Sequence, residues 1–224
     1  MTPWILIDSA PVPGGESELR LYQRDTQFSI RIAGHGELMN THKHGSEDAL
    51  AERTCAMLTE RNQARILIGG LGMGFTLAAA LKQLGEQARV VVAELVPSVV
   101  AWNRGPLGAH AGYPVNDPRV EVREMDVAKI LKSSQNAFDV VLLDVDNGPE
   151  GLTRRANDWL YGENGLNSAY AALKPRGILA IWSAGPDRTF VQRLKKVGFQ
   201  VEETRVHAHG SKGTRHIIWF ARRI

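Results

Sequence analysis

Three stretches of this sequence put residues that can do chemistry where strands would end. The first is Gly69-Gly70-Leu71-Gly72-Met73-Gly74, a turn whose missing Cβ atoms let backbone N–H groups approach a ligand. Its spacing is GxGxG. A dinucleotide fingerprint of the form GxGxxG would need glycine where Phe75 stands. A purely structural glycine turn fits the same residues. The second is Glu94, roughly 20 residues beyond that loop, a position from which a carboxylate accepts the hydroxyls of an adenosine ribose. Further on, Asp126 in Glu124-Met125-Asp126-Val127 suits either a contact to an adenine amine or a helix N-cap. Gly70, Gly72, Gly74, Glu94 and Asp126 together outline a slot shaped for adenosine.

The third stretch is Asp144-Val145-Asp146-Asn147-Gly148-Pro149-Glu150, which follows an apolar run. Carboxylates are costly to place beyond a buried strand unless they face ligand or water. One reading is an Asx turn. The other makes Asp144 the carboxylate that orients a nucleophilic amine and takes up its proton, with Asp146 helping to hold the acceptor.

These positions need a scaffold of alternating strands and helices. Apolar runs predict strands at Ala64–Ile68, Arg89–Ala93, Phe138–Leu143 and Ile178–Trp182, and the strand–helix alternation places another at Val120–Arg123. Helical spacing predicts helices at Phe75–Leu84, from Pro97, and at Val127–Lys132, Leu166–Leu173 and Arg188–Val197. Such repetition gives an α/β fold, a doubly wound Rossmann-like sheet. Two last strands, Gln200–Ala208 and His216–Arg222, have no helix between them and close the sheet as an antiparallel hairpin. Residues 1–45 carry the alternating stretches Glu18–Gln23 and Gln27–Ala33, a small N-terminal β-hairpin. Ser46 is the expected N-cap of a helix reaching about Arg61, with Glu47 and Asp48 in the first turn where the helix dipole favours acids. Residues 46–224 are then expected to form the main domain.

The 224 residues are 43% hydrophobic and 23% charged, which excludes disordered and fibrous classes. Apolar stretches of about eight residues are far short of the roughly 20 a membrane helix needs. With no signal-peptide pattern and one cysteine, Cys55, a cytoplasmic location is expected. A net charge of +3 without a basic run gives no support to nucleic-acid binding. His42-Lys43-His44 and His207-Ala208-His209 lack cysteine or carboxylate partners at ligand spacing, so no metal is expected.

From about Leu19 to Arg222 the sequence resembles the spermidine synthase-like branch of the class I S-adenosylmethionine-dependent methyltransferase superfamily. The matching residues are the N-terminal hairpin, Ile66 to Gly74, Ala93-Glu94, Met125-Asp126, Phe138 to Asp144 with Gly148-Pro149, and Leu160-Tyr161 through Leu173 to Leu179. The resemblance implies a seven-stranded sheet with an antiparallel last strand, ribose binding by Glu94, an adenine contact by Asp126 and a catalytic acid at Asp144. Aminopropyltransferases of this branch read GGGDGG in the glycine loop, where the Asp holds the amine of decarboxylated S-adenosylmethionine; Gly72 stands in its place here. Their acceptor loop resembles DSSDP, and a late glutamine follows their fifth strand, where this chain has Trp182-Ser183-Ala184-Gly185.

The expected activity is therefore an S-adenosylmethionine-dependent transfer to a small amine-containing acceptor, with methyl transfer ahead of aminopropyl transfer from decarboxylated S-adenosylmethionine. A non-catalytic adenosyl-binding protein is the competing class, and an NAD-dependent oxidoreductase is disfavoured by Phe75 and the terminal hairpin. Asn147, Trp182, Lys212 and Arg215 are the expected acceptor-binding residues. Lys212 and Arg215, in the last hairpin loop, suit an acidic group on the acceptor, although a solvated turn fits equally. A homodimer is compatible with the composition.

Overall fold

The computed structural model of the chain describes residues 2–15, 17–145, 159–209 and 212–224. Asp146 and Asn147 lie outside this set, as do Gly210 and Ser211.

The expected N-terminal hairpin forms, and its strands are the central pair of a four-stranded antiparallel sheet: β1 (Ile5–Pro11), β2 (Glu18–Arg24), β3 (Gln27–Ile32) and β4 (Gly36–Asn40). The two-residue turn Asp25-Thr26 is closed by Asp25 at φ +52°, a left-handed position that Asp tolerates. Sequence pattern passes over β1 because all of it but Ala10 is exposed, so no alternation marks an inner face.

α1 (Gly45–Ala56) begins one residue before the expected Ser46 cap and stops well short of Arg61. His44 occupies the N-cap without a side-chain cap bond, while the Ser46 hydroxyl turns to Glu47 Oε2 at 2.6 Å. At the other end, Met57 N–H and Leu58 N–H reach back three residues to the Thr54 and Cys55 carbonyls, tightening the last turn.

The main sheet has seven strands: β5 (Arg65–Gly69), β6 (Arg89–Glu94), β7 (Val120–Glu124), β8 (Phe138–Leu143), β9 (Leu173–Ser183), β10 (Phe199–His209) and β11 (Lys212–Arg223), in the order β7-β6-β5-β8-β9-β11-β10. Pairing is parallel from β7 through β9, and β11 runs antiparallel to both β9 and β10. The chain winds outward from β5 through β6 and β7, then returns to the other side of β5 with β8, so strand order reverses between β5 and β8. Crevices that hold ligands in open α/β sheets form at such a switch point.

Side chains alternate between two cores. Ile66 and Ile68 of β5, with Val140 and Leu142 of β8, join α1, α2 (Phe75–Gln83) and α3 (Pro97–Arg104); the same cluster takes in Leu21, Phe28, Ile30 and Ile32 of the N-terminal sheet. Leu67, Val141 and Leu143 face the other way, toward α5 (Val127–Ser133), α6 (Glu163–Ala172) and α7 (Arg188–Val197). Between α3 and β7 lie the short α4 (Gly108–Ala111) and a 3-10 turn. The indole of Trp102 on α3 donates to Asp8 Oδ2 at 2.7 Å, tying β1 to α3. Among the described residues no helix is long and apolar enough to cross a membrane.

Candidate active site

The ends of β5, β6 and β8 are bound together by backbone. Asp144 N–H donates to the Gly69 carbonyl at 2.9 Å, and Gly70 N–H to the Ala93 carbonyl at 2.9 Å. Gly70 sits at φ +87°, and a Cβ there would come within 2.3 Å of the Asp144 carbonyl oxygen. Glycine is thus required where the loop crosses the exit of β8. Gly72 and Gly74 are also left-handed, at +52° and +83°. The Gly72 carbonyl is held by Asn103 Nδ2 of α3 at 2.8 Å.

Glu94, the last residue of β6, is buried, and its carboxylate bridges two turns. Oε2 accepts from Leu71 N–H and Oε1 from Val96 N–H, each at 2.8 Å. Asp126 caps α5, its Oδ1 accepting from Ala128 N–H at 2.8 Å, as the N-cap reading expects. Gly70, Gly72, Glu94 and Asp126 line one cavity of about 570 Å³. Gly74 is outside that lining and instead packs close to Asn103, which lies 2.8 Å from where its Cβ would be.

A second cavity of about 340 Å³ adjoins it. Leu38 and Met39 of β4, Gly72 and Asp144 border both. Asp144 therefore stands between the two, half-buried, with Oδ2 accepting from the Thr76 hydroxyl of α2 at 2.5 Å. Burial holds its carboxyl above the ordinary range, and the Thr76 hydrogen bond pulls in the opposite direction. Glu47 of α1 lines the smaller cavity too. Its burial, then the charge of Asp144, push its carboxyl up to about 7 from the usual 4.5, against the Ser46 hydrogen bond. Met39 closes the loop side: its sulfur would lie 3.2 Å from a Cβ at Gly72, the space an aspartate side chain would need.

Trp182, at the end of β9, stands in the smaller cavity as a wall, its ring 4.8 Å from that of His216. Burial lowers the imidazole pKa of His216 and favours its neutral form. Arg215 is exposed and borders neither cavity. Alternation along β11 turns residues 215 and 216 to opposite faces, and it is His216 that faces in. The backbone of Lys212 opens β11 at the same sheet edge as the site.

Sequence reasoning missed Glu47, Thr76, Met39 and His216. Glu47 carried a signal, an acid in a first helical turn, but the helix dipole accounted for it. Met39 carried none.

Among known proteins, the chain is 30% identical over 130 residues to a polyamine aminopropyltransferase of Thermoanaerobacter sp. (strain X514), a match covering 58% of this chain and 44% of that protein. It is also 30% identical over 138 residues to a polyamine aminopropyltransferase of Thermococcus onnurineus (strain NA1), covering 62% and 46%. The chain thus spans less than half the length of these relatives. The crystal structure of spermidine synthase from Thermotoga maritima superposes with a TM-score of 0.77 at 19% identity, over 98% of this chain and 73% of that one, so the architecture is shared. The model of the spermine/spermidine synthase domain matches residues 51–203, from the middle of α1 into β10 and through the ends of β5, β6, β7, β8 and β9, and to that family the chain belongs.

Proposed function

We propose that the chain is a transferase that moves an aminopropyl group from decarboxylated S-adenosylmethionine to a small amine. Methyl transfer was the expected reaction from sequence; the aminopropyltransferase relatives and the matched domain favour aminopropyl transfer instead. The observation that carries the reading is the meeting of two cavities at Asp144.

The larger cavity would take the adenosyl donor. Glu94, fixed by two backbone N–H groups at the end of β6, is the carboxylate of this cavity placed to accept from the ribose hydroxyls. Asp126 lines the same cavity with one oxygen engaged in capping α5, and its carboxylate would be the contact for the adenine amine. When bound, the donor supplies an aminopropyl carbon activated by a positively charged sulfur.

The smaller cavity would take the acceptor. An amine attacks only as the free base, so its ammonium must lose a proton. Asp144, whose burial raises its proton affinity, is placed to take it. The nitrogen lone pair then forms the N–C bond, and the C–S pair leaves with sulfur as the neutral thioether methylthioadenosine. Trp182 and Leu38 supply apolar surface for an alkyl chain. Much of the rate in such a displacement comes from orientation, which the rigid junction of β5 and β8 provides.

Gly72 sustains a second reading. With Met39 where aminopropyltransferases have a carboxylate to grip the donor amine, S-adenosylmethionine itself fits the same loop, and methyl would be transferred. One assay decides: each donor is incubated with a panel of amines and the nucleoside product identified by mass spectrometry. Methylthioadenosine formed with decarboxylated donor supports aminopropyl transfer; S-adenosylhomocysteine formed with S-adenosylmethionine supports methyl transfer. Binding of neither donor overturns both.

A further inference from the structure

β9 and β11 run antiparallel with Trp182 opposite Ile218, so alternation brings Trp182 and His216 to one sheet face as diagonal neighbours, their rings 4.8 Å apart at 33°. Both line the smaller cavity. Among the described residues three buried side-chain polar atoms lack a hydrogen-bond partner: Trp182 Nε1, His216 Nδ1 and Asn103 Oδ1. Asn103 borders neither cavity, whereas the other two share this wall. The neighbouring hydroxyl does not serve them: Ser183 Oγ turns to the Gly185 carbonyl at 2.9 Å, and alternation sends Ser183 to the opposite face. A buried N–H without a partner forfeits its bond to water and gains none in return, which is why native proteins keep few such groups. An indole N–H can only donate, so what this wall lacks is an acceptor atom.

The chemistry that meets this pair is narrow. An ammonium brings only donors and leaves the indole N–H unmet. A carboxylate accepts, but burial favours the neutral form of His216, and Glu37, Glu47 and Asp144 line the same cavity. Lys43, the cation of that lining, is exposed at the rim. A hydroxyl or amide oxygen accepts from the indole without bringing charge, and a neutral imidazole offers either a donor or an acceptor at Nδ1. Resting on the transferase reading above, we infer that the acceptor carries a neutral oxygen function besides its amine, and that Trp182 and His216 bind that oxygen. Trp182 donates to it, and His216 Nδ1 either donates to it or accepts from its hydroxyl. The amine is left to Asp144, so different walls of one cavity tell the two ends of the acceptor apart. The indole serves twice, its face along the alkyl chain and its edge at the oxygen.

The test is titration calorimetry on the free protein and on protein saturated with methylthioadenosine, comparing 4-amino-1-butanol and 4-aminobutanamide with 1-aminobutane. Wild type should bind an oxygen-bearing amine roughly five- to a hundred-fold more tightly than the alkylamine, the range for meeting a buried donor otherwise left unpaired. Which of the two it prefers separates a hydroxyl from an amide. Trp182→Phe keeps the ring face and deletes the N–H, so the preference should fall to about two-fold or less. Trp182 lies outside the lining of the larger cavity, and unchanged affinity for methylthioadenosine then reports an intact fold. His216→Phe is the second variant and should lower the preference as well. Wild-type affinities for the three amines within about two-fold of one another, or no binding of any of them, overturn the inference. So does a preference that survives both substitutions, or tighter binding of 4-aminobutanoate. Failure of methylthioadenosine alone to bind overturns the donor reading and leaves the result on this wall standing, because the preference is also read on the free protein.

Discussion

Replacing Glu47 with glutamine should change how stability depends on pH, and the sign follows from its burial. The native carboxyl titrates at about 7, whereas the unfolded one titrates near 4.5. Between those values the folded chain binds more protons than the unfolded chain, so stability falls as pH rises through this window and levels off above about 7. The full shift, about 2.5 units at 1.36 kcal/mol each, is of order 3 kcal/mol; of this, about 2 kcal/mol falls between about pH 5.5 and about pH 8. For a chain of 224 residues, at roughly 2–4 °C per kcal/mol, that is a relative Tm change of about 4–8 °C. Glu47→Gln keeps the shape and the Ser46 neighbour but cannot ionise. Thermal unfolding of both proteins across that range should show the variant gaining on wild type as pH rises. Parallel Tm curves would refute the claim that an ionising Glu47 is buried against Asp144.

Other perturbations report on the rest of the site. Glu94→Ala removes a carboxylate that braces two turns and faces the larger cavity, so methylthioadenosine affinity measured by calorimetry should fall by roughly 1.5–3 kcal/mol. In Asp144→Asn, donor binding should persist while turnover drops roughly 10²- to 10⁴-fold; full activity would return Asp144 to a turn-forming role. Thr76→Val deletes the hydrogen bond that holds the Asp144 carboxyl down, so the acid limb of the kcat profile should move to higher pH, and an unmoved limb would exclude Asp144 as the base. Gly70→Ala forces a Cβ to 2.3 Å from the Asp144 carbonyl at a positive φ, and chemical denaturation should show a loss of stability greater than the roughly 1–2 kcal/mol of left-handed strain alone.

The doubly wound sheet was legible because its inner strands are uninterrupted apolar runs that only burial on both faces explains, as in Val90 to Ala93 and Val140 to Leu143. Strand ends named Glu94 and Asp144 for the same reason, since a polar residue closing such a run has few other places to go, whereas Asp126 follows the half-exposed edge strand β7 and was marked by its place before a helix. The N-terminal sheet was half legible: β2 and β3 alternate, whereas β1 is an exposed edge and β4 is a short strand opening on Gly36-Glu37. Residues that complete the site from other elements were not legible at all. Glu47 becomes a partner of Asp144 only when α1 folds over the sheet edge. The choice between Arg215 and His216 depends on the parity of β11, and a register shift between His207 and His209 in the facing strand hides that parity from the sequence.

Leu38 and Met39 roof both cavities from one sheet, while Glu94 and Asp144 rise from the edge of another. The gap across which a group would be transferred is therefore a spacing between two packed layers, set by core side chains such as Leu21 and Phe28 that line neither cavity. Hydrophobic packing here acts as a ruler. A smaller side chain at Leu21, ordinarily counted only as a loss of stability, is also a change in reaction distance, and homologues with different N-terminal cores can differ in rate while every polar residue of the site stays the same.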